Sequence, residues 1–91
     1  MPRALALGLV SRVFPAAELE AETMKLAEQL AAAAPQALRG VIDAVNFGGE
    51  AALDTGLDYE TQLFAVAFST EDMKEGTGAF LARRKPTFVG R

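Results

Sequence analysis

The chain has 91 residues, 51% of them hydrophobic and 23% charged, with a net charge of −3 and neither Cys nor His. A chain this short supports one domain and buries only a modest share of its surface, so large exposed apolar faces would signal a missing partner. Without Cys there is no disulfide framework, thiol nucleophile or thiolate metal site, and without His there is no Ser-His-Asp triad and no His-containing zinc site.

The first stretch, Ala4 to Val10, reads as the end of a helix stopped by Gly8, since glycine accepts the positive φ that follows a helix end. It is too short for the apolar core of a secretion signal, and no uncharged apolar run approaches the roughly 18–20 residues that span a bilayer. With no disulfides either, the cytosol is the expected compartment. Leu9 to Phe14 alternates enough to be a short extended piece, which Pro15 ends. Residues 1–15 are thus a helix end and an extended segment. A helix is expected over 16–34, with Leu19, Thr23, Leu26 and Leu30 as its stripe and Glu18, Glu20 and Glu22 at the favourable end of its dipole. Pro35 ends that helix and opens the next over 35–47, where Leu38, Val41, Ile42 and Val45 make one apolar face and Gly48-Gly49 is read as the stop. The spacing predicts a third helix over 51–68. Leu53, Leu57, Phe64 and Phe68 lie on one side, and Leu63, Val66 and Ala67 form a second apolar surface, so this helix should be covered on more than one side. Ser69 with Asp72 resembles a capping box for a last helix over 71–83, with Met73, Thr77, Phe80 and Leu81 inward. Gly76 and Gly78 each cost that helix roughly 1 kcal/mol against Ala, which suggests close backbone packing or a ligand passing over it. Residues 84–91 are a tail. The fold class is therefore all-α, about four helices in a single segment, with no repeat at solenoid periods.

Few residues suit acid–base chemistry. Asp54 and Asp58 share a helical face, but paired carboxylates work only when burial drives their pKa values apart, and a solvated face is the plainer reading. Glu71, Asp72 and Glu75 crowd the start of the last helix, where its dipole is explanation enough. Tyr59 alone is a weak acid candidate that more often packs its ring. No glycine-rich phosphate loop follows a predicted strand. The acidic balance, with a pI near 4.8, argues against nonspecific nucleic-acid binding. Arg83, Arg84, Lys85 and Arg91 nevertheless crowd the last nine residues. Such a cluster can suit a phosphate-bearing ligand, although a solvated end is the simpler account.

Several segments carry a resemblance. They are Ala4-Leu5-Ala6-Leu7-Gly8-Leu9-Val10-Ser11-Arg12-Val13-Phe14-Pro15, the acidic helix, Ala34-Pro35, and Glu60-Thr61-Gln62-Leu63-Phe64-Ala65-Val66-Ala67-Phe68-Ser69-Thr70-Glu71-Asp72. Glu75-Gly76, Ala79-Phe80-Leu81, Arg83-Arg84-Lys85-Pro86 and Phe88-Val89-Gly90-Arg91 follow. In order and spacing they resemble the C-terminal end of enoyl-CoA hydratase/isomerase (crotonase-superfamily) proteins of acyl-CoA and fatty acid metabolism, over the whole of this chain and about the last third of a family member. The resemblance implies an N-terminal spiral of ββα turns that holds the catalytic acids and an oxyanion hole, whose preorganised donors stabilise the enolate developing on the thioester oxygen. None of those positions is in this chain. No catalytic residue carries over, and no hydratase activity is expected from the chain alone. The resemblance further implies a helical part that makes trimer contacts. Its partners are a homo-oligomer or an N-terminal crotonase core, with acyl-CoA as the substrate of the complete enzyme, no separate cofactor or metal, no nucleic acid and no membrane span. It places Phe64 at a family Phe lining the CoA site, and Arg83 where the family usually has a Lys facing CoA. Arg keeps the charge but replaces a point donor by a planar fork. Met1 falls where the family has the middle of a helix, as in a fragment, a truncated gene model or an internal start.

Three other readings compete. An acyl-carrier protein needs a Ser at a helix start, and Asp54-Thr55-Gly56-Leu57-Asp58 has none. A free-standing acyl-CoA-binding four-helix module has a Trp- and Lys-rich signature, and this chain has no Trp. The serious alternative is a small helical self-association or interaction domain without ligand.

Overall fold

In the computed structural model, residues 2–91 are described, and they contain five α-helices and no strand. The helices are α1 (Pro2–Ala6), α2 (Ala16–Ala31), α3 (Pro35–Glu50), α4 (Leu53–Phe68) and α5 (Glu71–Leu81). The helix position expected for Met1 lies outside the described residues. The expected single segment divides into two compact units, residues 1–30 and 31–91.

In the first unit α1 ends in a Schellman turn. Gly8 sits at φ +74°, its N–H donates to Leu5 O, and the Leu9 N–H donates to Ala4 O. This is the helix stop expected of Gly8, since a residue with a Cβ would be strained there. Residues 9–15 run without regular structure to α2, where the Glu18 N–H bonds Pro15 O. Val10, Ser11, Arg12 and Phe14 line a shallow groove with Leu19, Glu22, Thr23 and Leu26 of α2. The expected stripe of α2 stays open along one side, because Leu19 and Leu30 are exposed.

The second unit is a helical hairpin, α3 against α4, followed by α5 and the tail. Its helix ends differ from the expected ones for identifiable reasons. The helix expected over 16–34 stops at Ala31, because Pro35 pushes Ala34 into an extended conformation (φ −64°, ψ 116°) that serves as the N-cap of α3. Gly48-Gly49 does not stop α3, which continues to Glu50. A Cβ on Gly56 would lie 3.3 Å from the Gly48 Cα, so the two glycines let α3 and α4 approach closely. Beside this contact the Phe47 and Tyr59 rings pack with centroids 4.6 Å apart, which assigns Tyr59 to packing. The helix expected from 51 begins at Leu53, with Ala52 as an extended N-cap. Ser69 is not the cap of α5. Thr70 is, its Oγ1 accepting from the Met73 N–H at 3.1 Å, while Ser69 closes α4 by donating to Val66 O.

Asp72 does not act as the return partner of a capping box. Its side chain is buried, and it gathers in the tail. Oδ1 accepts from the Val89 N–H and Oδ2 from the Gly90 N–H, each at 2.8 Å, and the Asp72 N–H donates to Arg91 O at 2.9 Å. A buried carboxylate is tolerated only when its oxygens are satisfied, and hydrogen bonds to a charged group are worth about 1.5–3 kcal/mol each. The tail carries Phe88 onto α5, where a Cβ on Gly76 would meet the ring at 3.3 Å. Gln36 Nε2 donates to Gly90 O and ties the tail to the start of α3. The glycine cost at 76 therefore has the packing reason expected of it, whereas nothing approaches Gly78.

Phe80 and Leu81 of α5, expected inward, are 82% and 77% exposed, and the apolar face of α3 is left open at Val41, Ile42 and Val45. Only Ala79 and Asp72 count as buried among the described residues. The chain exposes 7562 Å², about half as much again as the ~5,100 Å² of a folded monomer of its mass.

Two predictions follow from this packing. Gly78→Ala should stabilise the chain by about 1 kcal/mol in denaturant titration, because it gains helix propensity in open space. Gly56→Ala should forfeit that gain, since its methyl group meets backbone; equal stabilisation by both would contradict the close helix crossing. Asp72→Asn should cost about 2 kcal/mol, because its NH2 group replaces one of the two oxygens and leaves one tail N–H facing a donor. Faster amide exchange confined to Val89, Gly90 and their neighbours would report release of the tail.

Candidate functional site

The described acidic residues assemble no proton-transfer site. Asp54 and Asp58 are exposed, and Asp54 caps only its own neighbour, the Thr55 N–H. Asp72, the one buried carboxylate among the described residues, has both oxygens taken by backbone donors. No group of three or more described Asp or Glu residues is arranged to hold a metal ion.

Besides the groove on the first unit, two grooves lie on the second unit. One groove of about 310 Å³ is formed by the start of α3, the end of α4, α5 and Phe88 of the tail. Its lining is almost wholly apolar, with Phe64, Phe68, Met73 and Phe88 among its walls. A second groove of about 370 Å³ runs between α3 and α4 along Gly40, Val41, Leu63 and Ala67. Phe64 lines both grooves, is 67% exposed, and stacks on Phe68 with ring centroids 5.9 Å apart. An exposed aromatic on the rim of a groove can stack on a planar ligand group. Arg83 lines neither groove, so the two candidate residues are not brought into one cleft.

Arg83 stands on a turn that sequence reasoning did not foresee. The helix expected to reach residue 83 ends at Leu81, and Arg83 adopts φ +54°. Its N–H donates to Phe80 O, and the Arg84 N–H returns to Ala79 O at 3.0 Å. These are the bonds of the Schellman turn seen at Gly8, with Arg in the position that glycine prefers. A left-handed residue with a side chain costs about 1–2 kcal/mol. The charged residues around it hold the turn in place. Glu75 takes Arg84 in a two-pronged pair, with Oε1 to Nη1 at 2.6 Å and Oε2 to Nη2 at 3.0 Å. Glu75 Oε1 also accepts the Thr87 N–H at 3.0 Å. The Arg84 hydrogen bond first, and then the Thr87 N–H, hold the Glu75 carboxyl down at about 2 from its usual 4.5, while Glu75 raises Arg84 further. Because the Glu75 pKa is depressed on folding, its contribution is fully present above about 4.5 and is lost as pH falls through about 2. The clamp is therefore intact at neutral pH.

The basic cluster at the end of the chain is thus not uniform. Arg84 is paired with Glu75 and Arg91 with Glu71 at 3.0 Å, whereas Arg83 is exposed and forms no ion pair among the described residues. The roles of Asp72, Glu75 and Arg84 were missed from sequence because a helix dipole already accounted for the acids. The available signal was the recurrence of donors, Thr87, Val89 and Gly90, within one short tail.

The sequence model of the enoyl-CoA hydratase/isomerase family matches residues 2–91. A probable enoyl-CoA hydratase of Mycobacterium bovis is 44% identical over 92% of this chain and 33% of that protein. A 2,3-dehydroadipyl-CoA hydratase of Escherichia coli is 43% identical over the same shares. A solved enoyl-CoA hydratase from Bacillus anthracis superposes with a TM-score of 0.94 at 34% identity, over 99% of this chain and 35% of that one. The chain therefore spans about a third of the length of the curated relatives it matches. No described helix is long and apolar enough to cross a membrane. With helices that superpose on that solved enzyme and a family pattern that runs the length of its described residues, the chain belongs to the enoyl-CoA hydratase/isomerase family and has the helical part of the crotonase fold.

Proposed function

We propose that this chain is the C-terminal helical part of an enoyl-CoA hydratase/isomerase-like protein of acyl-CoA metabolism in the cytosol. In this reading it supplies oligomer contacts and part of the CoA site, and the chemistry resides in an N-terminal crotonase core. The observation that carries it is the uncovered surface. Within the second unit alone Val41, Ile42, Val45, Phe64, Phe80 and Leu81 are all exposed, an apolar surface larger than scattered single residues would give. Helices with open apolar faces are built to lie against something, and a crotonase core or further copies of the chain fit that need.

Within this reading Phe64 and Arg83 are the CoA contacts. Phe64 offers an aromatic face at the groove rim. Arg83 offers an unpaired guanidinium on a strained turn, and backbone strain of this kind concentrates where a ligand is held. The chain alone has no proposed catalytic group, because its buried carboxylate is committed to the tail.

The purified chain should sediment as an oligomer and leave crotonyl-CoA unchanged; turnover of the thioester would refute the proposed division of labour. CoA titration should give a measurable affinity that Phe64→Ala and Arg83→Ala each lower by about tenfold, the size of one aromatic stacking contact and one charge-assisted contact respectively. Arg83→Gly should do the same while raising stability by about 1 kcal/mol, because glycine relieves the left-handed strain. Self-association that persists with no CoA binding at all would favour a helical interaction domain without ligand.

A further inference from the structure

We infer that Glu75 is a positioning residue for Arg83: it clamps the left-handed turn at the end of α5 so that the Arg83 guanidinium is presented to a phosphate group of the ligand. The inference rests on the reading of Arg83 as a CoA contact.

The two helix ends with the same turn show why a clamp is needed. At the end of α1 the left-handed position is Gly8, and the turn closes on backbone bonds alone. At the end of α5 the same position is Arg83, at φ +54°, where the chain resists the conformation. A strained residue persists only where its surroundings over-determine it. Glu75 provides that determination by tying the chain that follows the turn back to α5. Its two oxygens hold the side chain of the next residue, Arg84, at 2.6 and 3.0 Å, and Oε1 also takes the Thr87 N–H at 3.0 Å. The backbone after Arg83 is thus tied to α5 at two points. The same contact sorts the adjacent cations. Arg84 is neutralised by Glu75, whereas Arg83 has no ion pair among the described residues and faces solvent. An anionic ligand therefore meets Arg83 as an unpaired fork on a tied backbone, and Arg rather than Lys suits bidentate capture of a phosphate.

The test uses the full 91-residue chain and two probes that differ only in phosphates, adenosine and adenosine 3′,5′-bisphosphate. Affinities are measured by NMR titration for the unsubstituted chain, Arg83→Ala, Glu75→Gln and the double variant. The unsubstituted chain should prefer the bisphosphate by about tenfold, as expected for one charged contact. Arg83→Ala and Glu75→Gln should each bring that preference near unity, and the double variant should lose nothing more, which is the non-additivity of two residues acting through one contact. Adenosine affinity should stay constant, which a loss of fold would not allow. If Glu75→Gln fails that control, Glu75→Asp takes its place, since the shorter carboxylate keeps the charge but loses the span to Arg84 and Thr87. A Glu75 variant that keeps the full preference while Arg83→Ala abolishes it would overturn the positioning role alone. A preference that is absent from the unsubstituted chain, or that survives Arg83→Ala, would overturn the phosphate reading of Arg83 as well.

Discussion

The second unit is organised around one buried charge. Asp72 sits at the start of α5 with its carboxylate shut off from water, and such a group is destabilising unless both oxygens find donors. The donors come from the tail, the Val89 and Gly90 N–H groups. That requirement folds the last residues back along α5 and sets Phe88 against Gly76. It also brings Gly90 O to Gln36 on α3. One wall of the groove that Phe64 borders therefore exists because a carboxylate in the same groove must be satisfied. Folding energetics and site geometry meet in the same two hydrogen bonds.

A second carboxylate does the complementary work at the other end of α5. Glu75 lies one turn on from Asp72 and is only partly covered, so its pairing with Arg84 adds little stability as an isolated ion pair. Its value is geometric. A planar guanidinium held on two oxygens fixes direction as well as distance, and the Thr87 N–H adds a third tie. Asp72 thus anchors the end of the tail and Glu75 its beginning, and between them the tail has little freedom. That division explains why a chain with almost nothing buried still has an ordered route for its last residues.

The features legible in the sequence were those decided within a few residues. Pro35 opens α3, Gly8 closes α1, and the amphipathic periods mark α2 to α4. The ordered segments from Ala4 to Arg91 pointed to the right family. What sequence could not supply was the partner of each group. Gly48 looks like a helix stop until Gly56 is known to lie beside it. Asp72 and Glu75 look like dipole partners because that explanation is local and sufficient, while their real donors are nine or more residues away. The apolar stripes mark faces to be covered, and their exposure fits the expectation that a chain this short leaves such faces for a partner. The period of a stripe reports that a face is to be covered, and it cannot report what covers it.

That last point bears on how function is shared in such a fold. Phe80 and Leu81 sit open at the end of α5, one turn from Arg83, on the helix whose other face carries the buried Asp72 and Ala79. That helix has one face bound to its own tail and another left apolar, and it leads directly into the turn that carries Arg83. Because that turn is strained, its conformation depends on the ties around it more than an ordinary helix end would. The end of α5 therefore joins two features, an apolar face that its own chain leaves open and a left-handed turn that carries a cation with no ion pair among the described residues.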